Sequence, residues 1–133
     1  MTSTVVYLGD LRTNSVHIKS GSEILSDAPT DNNGKGEAFS PTDLVANALA
    51  SCMLTIMGIK AAAIDVDMRG TTASVTKHMQ SSPRMISKIE IDVDFPFSAD
   101  RKSRIILENA AMTCPVFLSL NPEIEKKITF TWL

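Results

Sequence analysis

Ser40-Pro41-Thr42-Asp43-Leu44-Val45-Ala46-Asn47-Ala48-Leu49-Ala50-Ser51-Cys52-Met53 opens the most regular segment of the chain. Ser40 is an N-cap candidate, and Pro41 suits the first helical position. Asp43 follows Ser40 by three residues, much as in a capping box. Such a cap is worth ~1 kcal/mol. The pattern predicts a helix from Pro41 to about Met57, with Gly58 as its stop. Leu44, Ala48, Cys52 and Ile56 lie four apart and so share one face. Asp43, Asn47, Ser51 and Thr55 form a narrow polar stripe. Most of the circumference is apolar, so the helix is expected to be enclosed by protein, a partner subunit included.

Upstream of this helix, Val5 to Leu8 reads as a short strand. Ser15 to Lys19 and Glu23 to Ser26 flank Ser20-Gly21-Ser22, which predicts a hairpin. Ala28 to Phe39 carries Pro29, Asp31, Asn32, Asn33, Gly34 and Gly36 and reads as a long loop, a length usually tied to function or mobility. Asp27 and Asp31 read as turn residues.

Downstream, Ile64 to Met79 contains a strand or bent strand around Gly70, and Ser81 to Arg84 form a turn. Ile89, Ile91, Val93 and Phe95 alternate with Glu90, Asp92 and Asp94, the period-2 mark of a strand with one solvated face. Ser98 is expected to cap a second helix from Ala99 to about Thr113. Ile106, Ala110 and Cys114 share one face of it, while Arg104 and Glu108 pair on another. Pro115 ends it, because the residue before a proline avoids helical geometry. Ile128, Phe130 and Trp132 form a last strand. The sum is a single α+β domain over residues 1–133.

The chain has 133 residues, 44% hydrophobic, with a formal net charge of -2. That is long enough for a core without staples. No long basic run appears, so nucleic acid is set aside as a partner. The N-terminus lacks the marks of a signal peptide, and the Leu44–Ile59 stretch falls short of a membrane span. A reducing cytoplasm is the expected compartment. Two cysteines there are expected to be free, buried or catalytic rather than a permanent bridge.

Cys52 sits about three turns inside its helix, out of reach of the terminal dipole. An unperturbed thiol is only a few per cent thiolate at neutral pH, and burial lowers that fraction. A reactive Cys52 therefore needs a cation from elsewhere in the fold. Arg12 is the preferred candidate, and Lys35 is another. Cys114, read at a helix C-terminus, is a poorer nucleophile but suits the resolution of a sulfenic acid. The competing reading is that both cysteines simply pack, as free cysteines often do.

The segment Gly34-Lys35-Gly36-Glu37-Ala38-Phe39-Ser40-Pro41-Thr42-Asp43-Leu44, with Ala48-Leu49-Ala50-Ser51-Cys52-Met53, resembles the first-cysteine helix of OsmC/Ohr proteins. Ala110-Ala111-Met112-Thr113-Cys114-Pro115-Val116, with Ser119-Leu120, resembles their second-cysteine segment. The resemblance implies antiparallel sheets with two main helices in an intertwined homodimer. It also implies reduction of organic hydroperoxides, with dihydrolipoyl groups or other thiols as reductant and no cofactor. Carried over, Cys52 matches the peroxidatic cysteine, Cys114 the resolving one, and Arg12 the arginine that supports the thiolate. The best-studied branches place a glutamate directly after the helix-opening proline. Here Thr42 stands there, with Asp43 and Glu37 as the acidic residues available to orient Arg12. That departure keeps a second class open: a non-catalytic dimeric protein that binds a small molecule or senses redox state.

Other signals are weaker. Gly34-Lys35-Gly36 lacks the remainder of a phosphate loop. His17 and His78 have no metal-ligand spacing with the cysteines. Met53, Met57 and Met112 near the cysteines are read first as packing and second as the lining of an apolar pocket.

Overall fold

In the computed structural model, which describes residues 1–133, the chain divides by its contacts into two units, Met1–Val45 and Ala46–Leu133.

The first unit is built on an antiparallel sheet of β1 (Ser3–Gly9), β2 (Arg12–His17) and β3 (Glu23–Asp27), in that order. The expected hairpin is present, and it is longer than the sequence pattern indicated. Its register runs from Val16 opposite Glu23 to Arg12 opposite Asp27. Asp10 and Leu11 turn the chain between β1 and β2 with positive φ, so Arg12 opens β2.

The loop after β3 folds back on itself. A short 3-10 turn spans Thr30–Asn32, and the Asp27 N–H donates to Phe39 O across the loop's ends. Gly34 is required here by contact rather than by φ. A Cβ at that position would lie 1.7 Å from the carbonyl oxygen of Ala28.

The capping box is formed reciprocally. The Asp43 N–H donates to Ser40 Oγ (3.1 Å), and the Ser40 N–H donates to Asp43 Oδ2 (3.0 Å). From it runs α1 (Pro41–Ala63), which passes through Gly58 instead of stopping there. The ~1 kcal/mol that glycine costs in a helix is offset by the anchoring of Met57 and Ala61, both buried on either side of it. At 23 residues, α1 is longer than the Leu44–Ile59 stretch suggested, and by length and composition alone it could cross a membrane. A third of that apolar stretch is buried in the fold.

The second unit holds the apolar core. Ala46, Leu49, Ala50, Met53, Met57 and Ala61 form the buried stripe of α1. They cluster with Ile89, Ile91, Val93 and Phe95 of β5 (Met85–Phe95). β4 (Thr72–Gln80) pairs antiparallel with β5, while residues 64–71 form turns in place of the longer bent strand. β6 (Glu125–Trp132) lies on the other edge of β5 and runs parallel to it. The sheet is therefore mixed, against the expectation of purely antiparallel pairing. The connection through α2 (Arg101–Ala111) and α3 (Pro115–Ser119) is a helical crossover, which returns the chain to the starting end of β5.

Two local readings of α2 change. Its N-cap is Asp100 instead of Ser98, with Asp100 Oδ1 accepting from the Ser103 N–H at 3.1 Å. The expected Arg104–Glu108 pairing gives way to Trp132. Arg104 lies 5.5 Å from that ring's centroid, and Glu108 accepts from the indole N–H at 2.8 Å. A partly buried indole N–H needs an acceptor, and that demand redirects Glu108, while Arg104 Nε donates to Ala99 O at 2.8 Å.

Candidate functional site

The thiol pair lies in the second unit. Cys52 falls on α1 beside the buried stripe and is half-buried, whereas Cys114 is fully buried. The two side chains, distant in sequence, come near enough for Cys52 to act on the titration of Cys114.

Cys114 is not the helix C-terminus that its sequence position suggested. Helix α2 ends at Ala111, and Cys114 is the N-cap of α3, with Pro115 at the first helical position. Proline thus does two things: it bars helical geometry at Cys114 and starts the next helix. Cys114 Sγ accepts from the Phe117 N–H at 3.4 Å. Burial nevertheless pushes the Cys114 thiol up from its ordinary pKa. The Phe117 N–H pulls it back down in part, and the neighbouring Cys52 adds to the rise. Cys114 is therefore held as a neutral thiol beside its partner. Desolvation, rather than a helix C-terminus, is what disfavours the thiolate there.

The charged cluster lies in the first unit. Arg12 Nη2 donates to Glu37 Oε2 at 2.9 Å and to Asp27 Oδ2 at 3.3 Å. The Glu37 N–H also donates to Asp27 Oδ2, at 3.1 Å. Asp27 is 0% exposed, whereas the Glu37 side chain is 62% exposed. Burial pushes the Asp27 carboxyl upward, but the Glu37 N–H and the Arg12 guanidinium outweigh it, and the pKa falls below the ordinary value. Asp27, and after it Glu37, hold Arg12 firmly charged. Arg12 Nε and Asp27 Oδ1 are buried without a hydrogen-bond partner.

Of the two acidic residues named for Arg12, Glu37 meets it. Asp43 closes the helix cap, and Thr42 Oγ1 lies 3.2 Å from Ser40 Oγ in the same turn. Lys35 is exposed on the loop. Asp27, read as a turn residue, is the carboxylate that sequence reasoning missed. The signal was the hairpin register, since extending the pairing from the Ser20-Gly21-Ser22 turn sets Arg12 opposite Asp27. Gly36, Glu37, Ala38, Phe39 and Asp43 line an open hollow of about 370 Å³.

The histidines are engaged elsewhere. His17 Nδ1 lies 2.6 Å from Ser20 Oγ, and His78 Nε2 lies 2.7 Å from Glu90 Oε2. No three His, Cys, Asp or Glu side chains gather as a metal site would require.

The OsmC-like protein family profile matches residues 34–129. The structure superposes with a TM-score of 0.95 on that of a candidate osmotic stress induced and detoxification response protein from Psychrobacter arcticus 273-4. The two are 53% identical, over 98% of this chain and 95% of that one. An OsmC-like protein from Mycoplasma pneumoniae is 16% identical, with a TM-score of 0.79 over 98% of this chain and 95% of that one. An organic hydroperoxide resistance protein, OsmC, from Legionella pneumophila is 12% identical, with a TM-score of 0.76 over 98% and 97%. These last two share the fold. No curated protein sequence matches the chain. A profile that spans both cysteines and a half-identical relative over nearly its full length agree on one conclusion: the chain belongs to the OsmC-like protein family.

Proposed function

We propose that this protein is a thiol-dependent peroxidase that reduces organic hydroperoxides. The observation that carries the reading is a half-buried Cys52 near enough to a fully buried, neutral Cys114 to act on its titration. The Cys52 thiolate attacks the distal oxygen of the hydroperoxide. The O–O bond breaks, the alkoxide leaves and takes a proton, and Cys52 becomes a sulfenic acid. Cys114 then attacks Cys52 sulfur, a disulfide forms and water leaves. Two external thiols, of the dihydrolipoyl class or simpler, reduce the disulfide and are themselves oxidised. A reducing cytoplasm supplies such thiols. Arg12 is the positive charge assigned to the thiolate and the departing oxygen, by its family match and its enforced protonation.

A second copy of the chain is proposed to cover the first sheet. Val5, Val6, Tyr7, Leu8, Ile24 and Leu25 are each more than 40% exposed there. An apolar sheet surface of that extent calls for a partner. Sedimentation velocity distinguishes dimer from monomer.

The test mixes reduced protein with cumene hydroperoxide and, separately, hydrogen peroxide, and counts free thiols with time. Loss of both thiols, faster with the organic peroxide, is expected. Cys52→Ser is expected to lose the activity by more than about a thousand-fold, the usual scale for a removed nucleophile. Cys114→Ser should stop at a sulfenic acid that dimedone traps. Unchanged peroxide consumption in Cys52→Ser would refute the reading.

A further inference from the structure

Arg12 is held in an incomplete grip. The guanidinium edge formed by Nε and Nη2 matches the two oxygens of a carboxylate as a fork. Asp27 meets one atom of that edge, with Nη2 donating to Oδ2 at 3.3 Å. The atoms of the missing half, Arg12 Nε and Asp27 Oδ1, are both buried and both unpaired. A buried donor and a buried acceptor left unsatisfied are costly. The competitor is visible: Glu37 takes the same Nη2 at 2.9 Å, the closer of the two contacts.

The two carboxylates differ in what leaving would cost. Asp27 is fully buried, and removal of its cation would strand a desolvated charge. Glu37 is 62% exposed and returns to water at little cost. It also borders the open hollow of about 370 Å³, so its side chain has room to move without displacing core atoms. With both acids attached the cluster carries one net negative charge. Departure of Glu37 makes it neutral and leaves the far edge of the guanidinium free.

We propose that Asp27 is the positioning residue that fixes Arg12, and that Glu37 is a releasable brake whose departure lets Arg12 and Asp27 close into a two-bond fork. The inference rests on the reading of Arg12 as the charge that serves the thiol chemistry. Asp27 thereby fills, from the end of β3, the place left open by Thr42. Each acid acts through Arg12.

The experiment follows the Arg12 Nε–Hε signal by nitrogen–proton NMR on the full chain, assigned by its absence in Arg12→Lys, together with peroxide kinetics. In Glu37→Gln, Hε exchange with water is expected to slow by about tenfold or more as the Nε–Oδ1 bond forms. The rate with cumene hydroperoxide should rise. Glu37→Asp should restore the native exchange rate. Asp27→Asn should speed Hε exchange and lower the peroxide rate by more than about tenfold. Faster Hε exchange in Glu37→Gln, with a rate loss as large as that of Asp27→Asn, would overturn the inference and make Glu37 the holder. If Asp27→Asn does not fold, Hε exchange in Glu37→Gln decides alone. If neither wild type nor any variant consumes peroxide, the peroxidase reading falls, and the same exchange comparison still upholds or overturns the Arg12–Asp27 fork.

Discussion

The two units of this chain bury opposite kinds of residue. Every buried hydrophobic side chain lies in Ala46–Leu133, and the buried residues of Met1–Val45 are Ser26, Asp27 and Ser40, all polar. The second unit is held by apolar packing, which is non-directional and cumulative. The first is held by directional bonds: Arg12 to its two acids, the Thr13–Ser26 hydroxyl contact, and the Ser40–Asp43 cap. The contrast suits the proposed chemistry. A buried apolar setting keeps Cys114 a neutral thiol, and a polar setting keeps a guanidinium charged and oriented.

Substitutions that cut into each kind of order should act differently in the two units. Met53 is fully buried on α1. Met53→Ala is expected to cost about 2–5 kcal/mol, lost transfer energy plus a cavity, by urea denaturation. A cost below 1 kcal/mol would mean that the core of the second unit collapses around the gap. In the first unit, Gly34→Ala forces a Cβ onto the Ala28 carbonyl. About 1–3 kcal/mol is expected, as for overpacking, with faster proteolysis confined to residues 28–39. Faster cleavage spread through the second unit would show that the two kinds of order are not separable.

A smaller effect is expected at the cap. Ser40→Ala removes the acceptor for the Asp43 N–H and should cost ~1 kcal/mol. Hydrogen exchange should quicken in the first turn of α1 and not at Met53 or Met57.

The least effect, and the one that tests charge within the second unit, is at Glu90. Its carboxyl is held down at about 2, first by the hydrogen bond with His78 and then by Lys88, against an ordinary value of 4.5. A depressed carboxyl stabilises the fold above its unfolded pKa, and that contribution is lost as pH falls through the folded value. Stability should therefore decline from about pH 4.5 toward pH 2. Glu90→Gln should flatten that limb slightly, and added salt should mute the difference, because the cluster is partly exposed. An unchanged acid limb in Glu90→Gln would assign the decline to other carboxylates.

Much of the thiol region was legible before any fold was known. Ser40, Pro41 and Asp43 announce a helix start, because caps are local chemistry. The alternation Ile89-Glu90-Ile91-Asp92-Val93 announces β5, because a strand's period is two. Pro115 announces the break after α2. Other features were misread from the same kind of signal. Gly58 suggested a stop that the burial of Met57 and Ala61 overrides. Ser98 looked like a cap until Asp100, closer to the helix, took the role.

Local periods, caps and breaks are written in the sequence, and with them the placing of Cys52 mid-helix and Cys114 beside a proline. Each depends on residues within a few positions of one another. Which distant groups meet is settled by the folded chain. The parallel pairing of β6 with β5 and the approach of Cys52 to Cys114 each join residues separated by an entire connection or helix. Their meeting is fixed by long-range packing and strand register, which no short window of sequence encodes.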